Sequence, residues 1–140
     1  MSRTIDEVRA DFDRIARLSE RAAPEPSPYL DWVLDQLPAR CGEALEVGCG
    51  TGELTARLAE RSARVLAIDL SPEMIRVARS RSAGRSNVGY LVADAAGWSF
   101  PRERFDCIVS VATLHHLPLQ PTLRKLREAL RPGGTLVIQD

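Results

Sequence analysis

Apolar positions recur at helical spacing near the start of the chain and in short runs after it. Thr4 and Glu7 stand at capping-box spacing, and Ile5, Val8, Phe12, Ile15 and Leu18 follow near the 3.6-residue period, which predicts an amphipathic helix ending near Arg21. The run Pro24-Glu-Pro-Ser-Pro28 breaks that helix and sets up another, with Ser27 as N-cap and Pro28 at its first position. Leu30, Val33, Leu34 and Leu37 supply its buried stripe before Pro38 stops it. The pattern then switches. Apolar segments ending at Val47, Asp69, Val92 and Val111, and a fifth from Thr135 to Asp140, read as buried strands. Between them, Glu53–Arg61 reads as helix, Ser71 and Pro72 start another, and Pro121 starts the last. In that last helix Leu123, Leu126 and Leu130 share a face, Arg127 and Arg131 favour the C-terminal dipole, and Pro132-Gly-Gly ends it. Strands alternating with helices predict an α/β fold, a doubly wound parallel sheet in the order 3-2-1-4-5 with helices on both faces.

The stretch Ala44-Leu-Glu-Val-Gly-Cys-Gly-Thr-Gly52 carries the chemistry. A strand ends, glycines occupy alternate positions and a helix begins, the layout of a nucleotide-binding turn. Gly48 and Gly50 let backbone approach a ligand without side chains in the way. A dinucleotide turn needs glycine where this chain has Glu53, and a carboxylate there repels a pyrophosphate. A ligand that is cationic at that point and carries an adenosine meets no such penalty.

Asp69 ends the second strand, about 20 residues beyond the turn, where a carboxylate reaches ribose hydroxyls. Its two oxygens suit a vicinal diol; the alternative is a helix-start carboxylate before Ser71. Asp94 ends the third strand on the same sheet edge, with a turn aspartate bonding its own backbone as the alternative. Trp98 and Phe100 either wall a ligand or fill core. The two histidines of the chain, His115 and His116, follow the fourth strand. Imidazole, with an ordinary pKa of about 6.5, suits proton removal from an acceptor; the alternative is a hydrogen-bonding role that shapes the cleft.

The string Glu46-Val-Gly-Cys-Gly-Thr-Gly52 resembles the first motif of class I S-adenosylmethionine-dependent methyltransferases. Leu114-His-His-Leu117 and Leu130-Arg-Pro-Gly-Gly-Thr-Leu136 are similar to later segments of its small-molecule members, in the right order, and the resemblance covers about Phe12 to Asp140. It implies a Rossmann-like fold and S-adenosyl-L-methionine as cofactor. The implied cofactor contacts are Glu46, Gly48, Cys49 and Gly50 at the turn, Asp69 at the ribose, Leu70 and Met74 flanking the adenine, Asp94 and the Ala95 N–H at its edge, and Val111. His115 and His116 are the candidate catalytic residues. In the family the leading helices cover one side of the cofactor cleft. Transfer itself is an in-line displacement, governed by positioning and desolvation.

Composition narrows the remaining choices. The 140 residues are 44% hydrophobic, enough for one domain, read as a helical cap over 1–40 and a cofactor-binding core over 41–140. Lys+Arg and Asp+Glu number 19 each, so no broad basic surface for nucleic acid is expected, and the segment after strand four lacks both the Asn/Asp-Pro-Pro-Tyr signature and the Pro-Cys nucleophile of base methyltransferases. Cys41, Cys49 and Cys107 show no metal or disulfide spacing, so no metal is expected. Without a long apolar run or a signal-like start, the expected location is the cytoplasm, away from any membrane. Full family members continue into sixth and seventh strands, absent from this sequence. Thr135–Gln139 is therefore expected to be an edge that pairs with a further part of the protein, a second copy or another partner. The leading functional expectation is methyl transfer to a small molecule. Competing expectations are a cofactor-binding or interaction module without turnover, a nucleic-acid methyltransferase and, more remotely, a nicotinamide oxidoreductase.

Overall fold

The computed structural model describes residues 2–24 and 27–140; Glu25 and Pro26 of the predicted helix-breaking run lie outside the described residues. Strands β1 (Cys41–Val47), β2 (Ser62–Asp69), β3 (Val88–Val92), β4 (Phe105–Val111) and β5 (Leu130–Gln139) form one sheet in the order β3-β2-β1-β4-β5. All four pairings are parallel, with Val47 opposite Ile68 on one side and Ser110 on the other. The carboxyl ends of β1, β2 and β4 therefore meet at one rim, where ligands bind in open parallel sheets.

Alternation along β1 divides the core. Ala44 faces helices α2 (Pro28–Asp35) and α3 (Glu53–Arg61), packed with Val33, Leu34, Leu54 and Leu58. Leu45 and Val47 face the opposite layer, where helix α5 (Leu119–Ala129) contributes Leu126 and Ala129. Helix α4 (Pro72–Arg81) covers β2 and β3 through Ile75, beside Ala67 and Tyr90. Helix α1 (Ile5–Glu20) lies outside this layer, against α4, with Phe12 and Ala16 on Met74 and Val77.

The helix starts follow their caps. Thr4 Oγ1 accepts the Glu7 N–H at 3.2 Å while the Thr4 N–H donates to Glu7 Oε2 at 2.7 Å, the reciprocal pair that the spacing predicts. Ser71 Oγ accepts the Met74 N–H at 3.1 Å above Pro72. Ser27 does stand before Pro28, but its side chain caps nothing, and α2 ends at Asp35, short of Pro38.

The last helix departs from expectation at both ends. It begins at Leu119, so Pro121 is its third residue; a proline is tolerated there because first-turn N–H groups have no intrahelical partner. It ends at Ala129, where Leu130 already pairs with Phe105, and a register shift before the Cys107–Thr135 pair takes up Pro132-Gly-Gly. Arg131 is consequently a strand residue that donates from Nη1 to Asp106 Oδ2 at 3.0 Å, and complements no helix dipole. Trp98 and Phe100 stack edge to face at 4.7 Å and pack in the α5 layer, so they fill core.

Candidate active site

The glycine turn is tied to the end of β2. Gly48 and Cys49 donate their N–H groups to the Ile68 carbonyl at 2.8 and 3.1 Å, and Gly50 donates to Asp69 Oδ2 at 2.9 Å. Asp69 Oδ1 accepts the Ser71 N–H, also at 2.9 Å, so one carboxylate links the turn to the start of α4. Each oxygen retains a lone pair for a further donor. Burial holds this carboxyl above the ordinary aspartate value, against the two N–H bonds that pull it down.

Gly48 is needed on two counts. Its φ is +79°, and a Cβ there would sit 2.0 Å from Thr113 Oγ1. Thr113 is held by donating to the Val111 carbonyl at 2.9 Å, just after Ala112 turns the chain with φ +51°. That reversal, fastened by Ala112 N–H to the Gln139 carbonyl at 2.7 Å, brings the single 3-10 turn Leu114–His116 back over the rim.

Glu46 is only 2% exposed and accepts the Thr55 hydroxyl at 2.5 Å from the first turns of α3. Burial pushes its carboxyl up from 4.5 to about 8. The folded protein thus keeps a proton that the unfolded chain releases near 4.5, so this contribution to stability is complete below that pH and declines as pH rises through about 8. Glu46→Gln is expected to flatten the decline, leaving the variant more stable than the parent at pH 8.5 by on the order of 1–3 kcal/mol. Urea midpoints at pH 5.5 and 8.5 check this; an unchanged difference between the two would place the titration elsewhere.

A cavity of about 280 Å³ opens above the turn. Its floor is Val47, Gly48, Gly50, Asp69, Leu70, Asp94, Ala95 and Val111, with Met74 at one side. Its roof is α1 and the residue before its cap: Arg3, Ile5, Val8 and Phe12. A second lobe of about 270 Å³, reached by Glu46, Cys49 and Glu53, shares Gly48, Gly50, Met74 and Val111 with the first. The two lobes sit astride the turn. The roof is fastened to α4 by polar contacts: Asp13 Oδ1 accepts from Ser71 Oγ at 2.5 Å, and Glu20 receives both Arg76 amino groups at 2.9 and 2.7 Å.

The remaining expected residues divide. Asp94 lines the cavity, yet its Oδ1 accepts the Ala96 N–H at 3.0 Å, so the self-capping turn and the cavity position coexist. Cys49 is buried, with its thiol pushed far up by burial, and offers backbone rather than sulfur chemistry. The two histidines part company. His116 lines the cavity and meets the Phe12 ring edge to face at 5.4 Å. His115 does not line it; its Nδ1 lies 2.9 Å from Asp140 Oδ1. The two imidazoles nonetheless lie side by side, with ring centroids 4.0 Å apart, so His116 lines the cavity and His115 is its immediate neighbour. Burial, and then His115 and Arg3, hold the His116 imidazole below its ordinary value, so it is neutral at neutral pH.

Sequence reasoning missed Arg3, Thr55 and Thr113 as parts of this region. The stripe Ile5, Val8 and Phe12 was visible as an apolar face, but nothing in its spacing said that it roofs a cavity. Among the described residues no cluster of His, Cys, Asp and Glu could hold a metal ion, and no helix is long and apolar enough to cross a membrane.

Comparison with known proteins adds four findings. A family model described as a methyltransferase domain matches residues 44–134. An uncharacterized methyltransferase of Mycobacterium tuberculosis (strain ATCC 25618 / H37Rv) is 38% identical over 112 residues, 79% of this chain and 56% of that protein. A trans-aconitate 2-methyltransferase of Streptomyces avermitilis is 36% identical over 120 residues, 80% of this chain and 44% of that protein. Among solved structures, an S-adenosylmethionine-dependent methyltransferase from Mesorhizobium loti superimposes with a TM-score of 0.72 at 29% identity, over 77% of this chain and 51% of that one. The chain spans about half the length of these curated relatives.

Proposed function

Because this chain belongs to the methyltransferase-domain family, we propose that it binds S-adenosylmethionine astride the glycine turn and transfers its methyl group to a small-molecule acceptor. The observation that carries the reading is Asp69, a carboxylate on the cavity floor fixed by the Gly50 and Ser71 N–H groups. In this reading its free lone pairs take the two ribose hydroxyls. Leu70 and Met74 flank the adenine, and Asp94 with the Ala95 N–H meets its polar edge. Glu46, Gly48, Cys49 and Gly50 border the lobe for the methionyl part, with Val111 between the lobes. Glu46 is positioned to ionise beside the ligand's ammonium group.

The bound cofactor supplies an electrophilic methyl on sulfonium sulfur. The protein contributes orientation, exclusion of water beneath α1, and a proton acceptor: His116, neutral at the cavity wall, takes the proton when the acceptor must lose one. A small acceptor fits the limited room under α1 and the zero formal net charge. The trans-aconitate methyltransferase relative supports the same class. Glu53, at the border of the second lobe, disfavours a pyrophosphate ligand.

Calorimetric titration with S-adenosylhomocysteine and, separately, NADH tests the reading. Binding of the first and not the second is expected; preference for NADH would sink it. Once an acceptor turns over, His116→Ala is expected to lower transfer by about 10²-fold or more with cofactor affinity unchanged, and His115→Ala to leave both near the parent. Full turnover by His116→Ala would remove the base and leave the acceptor's own nucleophilicity to carry the reaction.

A further inference from the structure

Arg3 lines the larger lobe and is the one formally cationic side chain among its described lining residues. Its fellow roof residues are the apolar Ile5, Val8 and Phe12, and Leu117 and neutral His116 line the same lobe, whose floor, with Asp69 and Asp94, is the part that the adenosine takes in the proposed reading. The guanidinium is already aimed: Nη2 pairs with Asp11 and approaches the Glu7 carbonyl at 3.4 Å, both on α1. Among the described residues no protein acceptor takes Nη1 or Nε. A guanidinium held through Nη2 alone, with Nη1 and Nε unpaired beside apolar roof residues, is an arrangement that can recognise a carboxylate on an apolar body. We infer that Arg3 selects for a carboxylate on the methyl acceptor, and that the acceptor class is a small, mainly apolar carboxylic acid. The inference rests on the methyltransferase reading and deepens it. The cofactor's own carboxylate is the competing partner, but the lobe beside Glu46 and Cys49 is not lined by Arg3.

Phenylacetate and its uncharged counterpart phenylacetamide separate these cases when each is titrated into protein saturated with S-adenosylhomocysteine. Phenylacetate is expected to bind about two- to fivefold more tightly, and no more than that, because the Arg3 side chain is 54% exposed and solvent screens the pair. Arg3→Ala should erase the difference and Arg3→Lys keep part of it. Asp11→Asn, which removes the competing carboxylate, should tighten phenylacetate about two- to fivefold and leave phenylacetamide unchanged. That gain is one that a merely structural arginine would not produce. Equal affinity for the two probes, failure of phenylacetate to bind, a preference that survives Arg3→Ala, or no gain in Asp11→Asn would each overturn the inference. So would weakened S-adenosylhomocysteine binding in Arg3→Ala, which would move Arg3 to the cofactor. If the parent itself does not bind S-adenosylhomocysteine, it is the cofactor reading that fails.

Discussion

Asp69→Ala is expected to weaken S-adenosylhomocysteine binding by between about tenfold and 150-fold, the equivalent of roughly 1.5 to 3 kcal/mol for charge-assisted hydrogen bonds to a ribose diol. The alanine removes more than a ligand contact. It also releases the Gly50 and Ser71 N–H groups that Asp69 holds at 2.9 Å each, so turn and helix start lose their common anchor. Asp69→Asn sharpens the test. One end of an amide is a donor, and whichever way it is turned it faces a backbone N–H that also donates. The asparagine variant is therefore expected to lose affinity too, despite its nearly identical shape. Calorimetry decides both cases, and parental affinity in Asp69→Ala would remove Asp69 from the ribose.

Gly48→Ala carries the largest structural penalty. The new methyl would lie 2.0 Å from Thr113 Oγ1 and 2.7 Å from its Cγ2, far inside contact distance, at a backbone φ of +79°. The left-handed conformation costs a residue with a Cβ about 1–2 kcal/mol, and overpacking adds about 1–3 kcal/mol. A loss of roughly 2–5 kcal/mol in stability is expected, with cofactor binding lost alongside it. Thr113→Gly in the same chain should recover the steric part and leave the conformational part. Urea unfolding of parent, single and double variants measures both. A single variant within about 0.5 kcal/mol of the parent would mean that the turn moves freely away from Thr113, and that Gly48 is there for another reason.

Much of this architecture was legible because local and tertiary preferences agree. The α3 bounds, Glu53–Arg61, and the β4 bounds, Phe105–Val111, follow directly from the patterning. So do the capping box of α1, the Ser71 cap and the strand order. The prolines misled where they are merely tolerated: Pro121 marks no helix start, and Pro132 lies beyond a helix end already set by the pairing of Leu130 with Phe105. Arg131 was assigned to a dipole because its strand partner Asp106 is 25 residues away in sequence. At the site, the turn and the two strand-end aspartates announced themselves through glycine spacing and position. Which histidine lines the cavity depends on how the chain turns at Ala112, whose φ of +51° no glycine announces. Thr113 and Arg3 reach the region through tertiary placement alone.

Roof and floor of the cavity come from separate stretches of chain, and this has an evolutionary consequence. The floor is built from strand ends and the turn, whereas the roof is one helix and the arginine before it, joined to α4 chiefly by Asp13, Glu20 and the Phe12–Met74 contact. Changes at positions without shared partners act almost independently. Ile5 and Val8 can therefore drift, and with them the shape of whatever the roof admits, while the glycine turn and Asp69 stay under unaltered selection. In the proposed reading, acceptor range and cofactor use become separately heritable traits. The exceptions are Phe12 and Asp13, which touch both parts; there, a substitution that widens the roof also disturbs the start of α4 next to Asp69, and lineages should find those two positions the hardest to change.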